Sequence, residues 1–93
     1  MNSDDWSVIG TVHSSKIKKR VLELLSSNPK TPIMLKSLTK YHISHISRAL
    51  FELKELGLIL CKNPNSRKGK FYDITEKGIL ILNKINDLNS IEK

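Results

Sequence analysis

Ser44, His45, Ser47 and Arg48 crowd into "HISHISR", residues 42–48, and Arg67, Lys68 and Lys70 share a second short stretch, "NPNSRKGK", residues 63–70. A serine hydroxyl both donates and accepts, a neutral histidine ring offers one nitrogen in each role, and a guanidinium presents a rigid fork of donors. The first set suits the edges of nucleic-acid bases, with arginine forking onto guanine. The second suits phosphate oxygens. Bond-making chemistry has no comparable support: no nucleophile stands beside a plausible base, no glycine loop is built to cradle a phosphate, and the carboxylates Glu52 and Glu55 fall on a solvent-facing side. The chain therefore reads as a binding protein and not as an enzyme.

To act together, the first cluster must stand on one side of a rigid element. Ile46, Leu50 and Leu53 recur at helical spacing, and at about 100° per residue they centre a buried face with Ile43 and Gly57 alongside. Ser44 is expected to cap a helix over 44–56, which Gly57 ends by taking the left-handed conformation. Ser44, Arg48 and Glu55 then point away from the core, flanked by Ser47, Phe51 and Glu52. This outward face divides by charge. Its first two turns carry Ser44, His45, Ser47 and Arg48, whereas its later part carries carboxylates that phosphates repel, so only the N-terminal half suits a DNA groove. That is the half by which a recognition helix reaches base edges, and the helix's positive end favours a nearby phosphate. A plainer arrangement is open as well: Ser44 only caps, Ser47 is only solvated, and Arg48 pairs with Glu52 at i+4 for a few tenths of a kcal/mol. Phe51 has no assigned role; an exposed aromatic there needs the wing, a partner or the preceding helix to pack on.

The elements around this helix follow from the same kind of pattern. Ile17, Val21, Leu24 and Leu25 predict an amphipathic helix over 15–27. "SSNPKTP" breaks it, and Thr31 followed by Pro32 starts a short helix to about Leu38, with Leu35 and Leu38 expected in the core. Residues 58–63 and 70–74 read as strands flanking the basic loop, a β-hairpin in which Tyr72 and Ile74 share a core-facing side. Thr75 can cap a last helix over "EKGILILNKINDLNSI". Upstream, "WSVIGTVHSS" alternates loosely enough for a short strand beside the hairpin, with Trp6 as its anchor. Helix, helix, helix, hairpin, helix is the order of a winged helix-turn-helix: α+β, mainly α, with a three-helix core, a basic hairpin wing (63–70) and a C-terminal helix. The expected divisions are an N-terminal extension (1–12), a DNA-binding domain (13–75) and a C-terminal dimerisation element (76–93).

Composition agrees with a small nucleic-acid binder. A chain of 93 residues with 39% hydrophobic and 27% charged residues fits one globular domain with a modest core and has no apolar run near the roughly 20 residues of a membrane span. The N-terminal segment lacks the pattern of a signal peptide, so a cytoplasmic, nucleoid-associated location is expected. The formal charge of +7 favours an anionic partner, and between Lys30 and Lys70 the only acidic residues are Glu52 and Glu55. The single cysteine, Cys61, has no disulfide partner and no histidine at a zinc-ligand spacing, so it is expected to be a buried small hydrophobe, with no metal and no cofactor.

"SSKIKKRVLELL", "HISHISRALFELKELGLI" and "GKFYDITEKGILIL" together resemble the small archaeal winged-helix transcriptional regulators of the broad ArsR/MarR type, over about residues 10–82. The resemblance implies sequence-specific binding to double-stranded DNA, usually as a dimer, with the third helix in the major groove. It matches Ser44, Ser47 and Arg48 to the recognition positions and Arg67 and Lys68 to the wing. It does not extend to metal sensing, because neither a cysteine pair nor a histidine and carboxylate cluster is present. Phe51 stands where a charged residue is more usual.

Ile79, Leu80, Ile81 and Leu82 are consecutive and cover every side of the last helix, and Ile85, Leu88 and Ile91 continue its apolar surface. A small monomer covers only one side of such a helix, so a homodimer is expected on Ile79, Leu82, Ile85 and Leu88. No small-molecule ligand is evident. Two rival functions share the fold: an architectural DNA binder with little sequence preference, and a winged-helix module that docks on protein.

Overall fold

In the computed structural model, which describes residues 3–91, the chain forms α1 (Ser3–His13), α2 (Lys16–Ser27), α3 (Pro32–Thr39), α4 (Ile43–Glu55), β1 (Ile59–Cys61), β2 (Tyr72–Ile74) and α5 (Glu76–Ile91). Of the three expected divisions, the ends at residues 1, 2, 92 and 93 lie outside the described residues. The short strand expected near Trp6 is instead the helix α1. Val8, Ile9 and Val12 stand at i, i+1 and i+4, a helical stripe, and all three are buried against the core. The place of a third strand is taken by a single residue, Lys30, whose N–H donates to the Tyr72 carbonyl at 3.0 Å and whose carbonyl accepts from the Tyr72 N–H at 2.9 Å.

Capping residues set most of the helix starts. Ser15 Oγ accepts from Lys18 N at 3.3 Å to begin α2. Thr31 Oγ1 accepts from Met34 N at 3.2 Å to begin α3, where Pro32 occupies the first turn and sacrifices no hydrogen bond. Only Leu35 of the two leucines expected inward is buried; Leu38 is 53% exposed. The buried arc of α3 runs through Leu35 and the half-buried Thr39, and Leu38 lies about 60° to its side.

The cap of α4 is His42, not Ser44. His42 Nδ1 accepts from Ser44 N at 3.2 Å and lies 2.8 Å from Ser44 Oγ. At the other end Gly57 takes φ 76°, with Gly57 N donating to Lys54 O at 2.9 Å and Leu58 N to Leu53 O at 3.0 Å. This paired closure is the Schellman motif, and it turns the chain into β1. β1 and β2 pair antiparallel with Ile59 opposite Ile74, Leu60 opposite Asp73 and Cys61 opposite Tyr72.

Thr75 then joins two elements. Its hydroxyl accepts from Gly78 N at 3.1 Å to cap α5 and donates to Gly57 O at 2.8 Å, tying the start of α5 to the end of α4. The approach is close enough that a methyl group at Gly78 would stand 2.2 Å from Leu58 O and 2.6 Å from Ile74 Cγ1. The core is one cluster in which Leu22, Leu25, Leu35, Ile46, Leu53 and Ile85 are fully buried. No helix among the described residues is long and apolar enough to cross a membrane.

Candidate nucleic-acid interface

α4 meets α2, α3 and β1 through Ile46, Ala49, Leu50 and Leu53, all buried. Its opposite side is open: Ser44, His45, Ser47, Arg48, Phe51 and Glu55 are all exposed. The faces drawn from helical spacing and those in the structure coincide here, because four well-spaced apolar residues leave α4 one way to seat itself.

The charge on this face is set by a pairing that spacing along α4 alone does not show. Glu52 does not turn to Arg48, four residues earlier; its carboxylate takes Lys18 Nζ of α2 at 3.2 Å. Among the described residues Arg48 has no ion-pair partner. The plainer arrangement, an Arg48–Glu52 pair, is therefore absent, and the guanidinium stands open beside Ser44 and Ser47. His45 stands edge-on to the His42 ring, centroids 6.1 Å apart.

Arg67, Lys68 and Lys70 are exposed on the loop between β1 and β2. Asn63 shapes this loop. Its Oδ1 accepts from Phe71 N at 2.7 Å and its Nδ2 donates to Gly69 O at 3.2 Å, while Lys62 N donates to Phe71 O at 2.8 Å. Ser66 Oγ accepts from Lys68 N at 3.3 Å, and Gly69 takes φ 88°. The three cations thus ride on a loop closed by one amide. The sequence signal for Asn63 is the Asn-Pro pair, which favours the start of a turn. Beneath the loop, Tyr72 is half-buried; burial, and secondarily charge on Cys61, raise its pKa above the ordinary 10.0. Cys61 is itself half-buried rather than fully enclosed, its Sγ 3.8 Å from Asn63 Oδ1.

Two further groups of lysine and arginine are sorted by burial. Lys30, counted above with the basic middle of the chain, is 7% exposed: its ammonium donates to Leu24 O at 2.7 Å, to Asn28 O at 3.3 Å and to Asn28 Oδ1, closing the bend between α2 and α3. It is spent on structure. Lys16, Lys19 and Arg20 instead line a groove of about 420 Å³ together with Glu23, Leu38, Thr39 and Tyr41, just ahead of α4.

The residues expected at a dimer contact divide. Leu82 and Ile85 are 6% and 0% exposed, and Leu88 packs against the same core, because α1 lies along α5 and brings Val8, Ile9 and Val12 onto that side. Ile79 and Leu80 remain exposed. Trp6, expected as an anchor, is 57% exposed on α1. Among the described residues no group of three or more histidine, cysteine or carboxylate side chains is arranged to hold a metal ion.

A family model described as winged helix-turn-helix matches residues 13–93. No curated protein sequence matches the chain. Solved structures similar to it include a MarR family transcription regulator, SP03579, at 23% identity and a TM-score of 0.75, covering 92% of this chain and 63% of that one. The transcriptional regulator BldR from Sulfolobus solfataricus shares 24% identity at a TM-score of 0.73, covering 83% of this chain and 57% of that one. The homodimeric winged helix-turn-helix DNA-binding domain of Mb0332 from Mycobacterium bovis, a possible ArsR-family regulator, shares 17% identity at a TM-score of 0.71, covering 96% of this chain and 79% of that fragment. The chain spans less than two thirds of the length of the first two, and at these identities the likeness is one of fold.

Proposed function

The chain belongs to the winged helix-turn-helix family, and we propose that it is a transcriptional regulator that binds double-stranded DNA sequence-specifically as a homodimer, in the cytoplasm at the nucleoid. The first two turns of α4 enter the major groove, where Arg48 forks onto a base edge and Ser44, Ser47 and His45 complete the contact. Arg67, Lys68 and Lys70 follow the backbone or the adjacent minor groove. The observation that carries this reading is the exposed Arg48 on the outward face of α4, with Glu52, the carboxylate four residues on, paired to Lys18 of α2 instead.

A second copy would cover Ile79 and Leu80, which α5 leaves exposed. The homodimeric state of the Mb0332 domain supports that arrangement. Two copies would bring two α4 helices to half-sites about one DNA turn apart, roughly 34 Å.

Selection from a randomised duplex library at two salt concentrations tests the whole reading. A two-fold symmetric motif is expected. Tight binding with no motif and a steep fall with salt would instead mark an architectural binder held by counterion release. No binding at low salt would direct the α4 face to a protein partner.

A further inference from the structure

Phe51 is 64% exposed on the outward face of α4 and takes no part in the core cluster or in any ring contact among the described residues. It lies four residues after Ser47 and three after Arg48, so at about 100° per residue it shares their face of the helix. A helical side chain leans toward the helix N-terminus, which carries the Phe51 ring back over the turn that bears Ser47 and Arg48. The ring thus borders the groups proposed to read bases.

We propose that Phe51 is a specificity-determining residue that recognises the 5-methyl group of a thymine in the major groove. This rests on the DNA-binding reading above and deepens it, extending the groove contact from the first two turns of α4 to the start of the third. Among the groups that base pairs present in that groove, the thymine methyl is the apolar one, so it is the chemistry an exposed phenyl on this face can recognise. Reach agrees. Phe51 lies three positions beyond Arg48, about 4.5 Å along the axis at about 1.5 Å per residue, little more than the roughly 3.4 Å between neighbouring base pairs. Charge sets the limit just past it: Glu52 is turned away onto Lys18, and Glu55, the next outward residue, repels phosphate. Phe51 is the last side chain on this face before the acidic end.

The test replaces each thymine of the selected operator with deoxyuridine, which removes the methyl group alone, and measures affinity by fluorescence anisotropy for the wild-type chain, Phe51→Ala and Phe51→Leu. At one thymine per half-site the wild type is expected to lose about fourfold, the factor for withdrawing one buried methyl-sized group. Phe51→Ala binds both duplexes equally, and Phe51→Leu retains part of the discrimination. Because the ring is largely exposed, both variants should keep the wild-type circular dichroism. If the wild type distinguishes deoxyuridine nowhere, or Phe51→Ala still does at the same position, this proposal falls while the DNA-binding reading stands. If no motif is selected at all, both fall together.

Discussion

Glu52 is held by a lysine from another helix, and Arg48 has no ion-pair partner among the described residues, which is why the proposed base contact is assigned to it. Arg48→Ala should therefore cost about 1–3 kcal/mol on the selected operator and relax preference at one position, whereas Lys68→Ala should weaken every sequence alike and lower the salt slope by about 1. Competition titrations over single-base operator variants separate the two; equal behaviour would make Arg48 a phosphate contact only. The polar side chains of α4 were legible in the sequence because four apolar residues fix the helix's seat, and whatever they do not use must face out. Pairing was less legible. Local spacing offers Glu52 to Arg48, and only the crossing of α2 over α4 brings Lys18 within 3.2 Å of it. Lys30 is the same lesson in reverse: a lysine in a basic stretch, buried because three oxygens at the α2–α3 bend take its ammonium.

Among the elements, the wing and the start of α5 are each held by one small residue. Asn63 spans the wing from Phe71 N to Gly69 O, so Asn63→Ala should open the loop while leaving the helices in place. Hydrogen exchange at the Phe71 amide should quicken and duplex affinity should fall for all sequences, with global stability lower by about 1 kcal/mol at most, as for one or two exposed hydrogen bonds. Unchanged exchange would mean that strand pairing alone shapes the wing. Gly78 presents a conflict of effects. Helix propensity predicts that Gly78→Ala is stabilising by up to about 1 kcal/mol, but the added methyl meets the Leu58 carbonyl at 2.2 Å, and that oxygen already accepts from Thr75 N at 2.9 Å. Backbone held on both sides cannot retreat cheaply. A net loss of about 1–3 kcal/mol is expected, visible as a melting temperature lower by at least about 4 °C; a rise would show that α5 slides to accommodate the methyl. The capping residues Thr31 and Thr75 and the glycine stop at Gly57 were readable in the sequence, since each acts within a few residues of its place. α1 was not, because its apolar stripe is short and its opening segment alternates well enough to pass for a strand.

For the whole molecule, α1 decides what α5 has left to offer a second copy. Four consecutive apolar residues made an apolar surface on all sides of the last helix certain from sequence alone, yet which of them stay outside depended on a helix that the sequence did not reveal. With Leu82 and Ile85 in the core that α1 shares with α5, the large apolar side chains exposed on this pair of helices, among the described residues, are Ile79, Leu80 and Trp6. Substitution separates the two groups. Leu80→Glu should leave the monomer folded, since the side chain is already 47% exposed, but should shift sedimentation at micromolar concentration from dimer to monomer. Ile85→Glu, by contrast, would place a carboxylate at a fully buried position and should unfold the chain, as buried charge without a partner does. The functional consequence follows from geometry. A Leu80→Glu monomer retains one α4 and one wing, so it should still bind an isolated half-site with wild-type affinity while losing the advantage of the two-fold symmetric operator. That advantage is the linkage of two half-site contacts through one interface. A Leu80→Glu chain that still sediments as a dimer and still prefers the symmetric operator would move the interface elsewhere, with exposed Trp6 on α1 the next position to substitute.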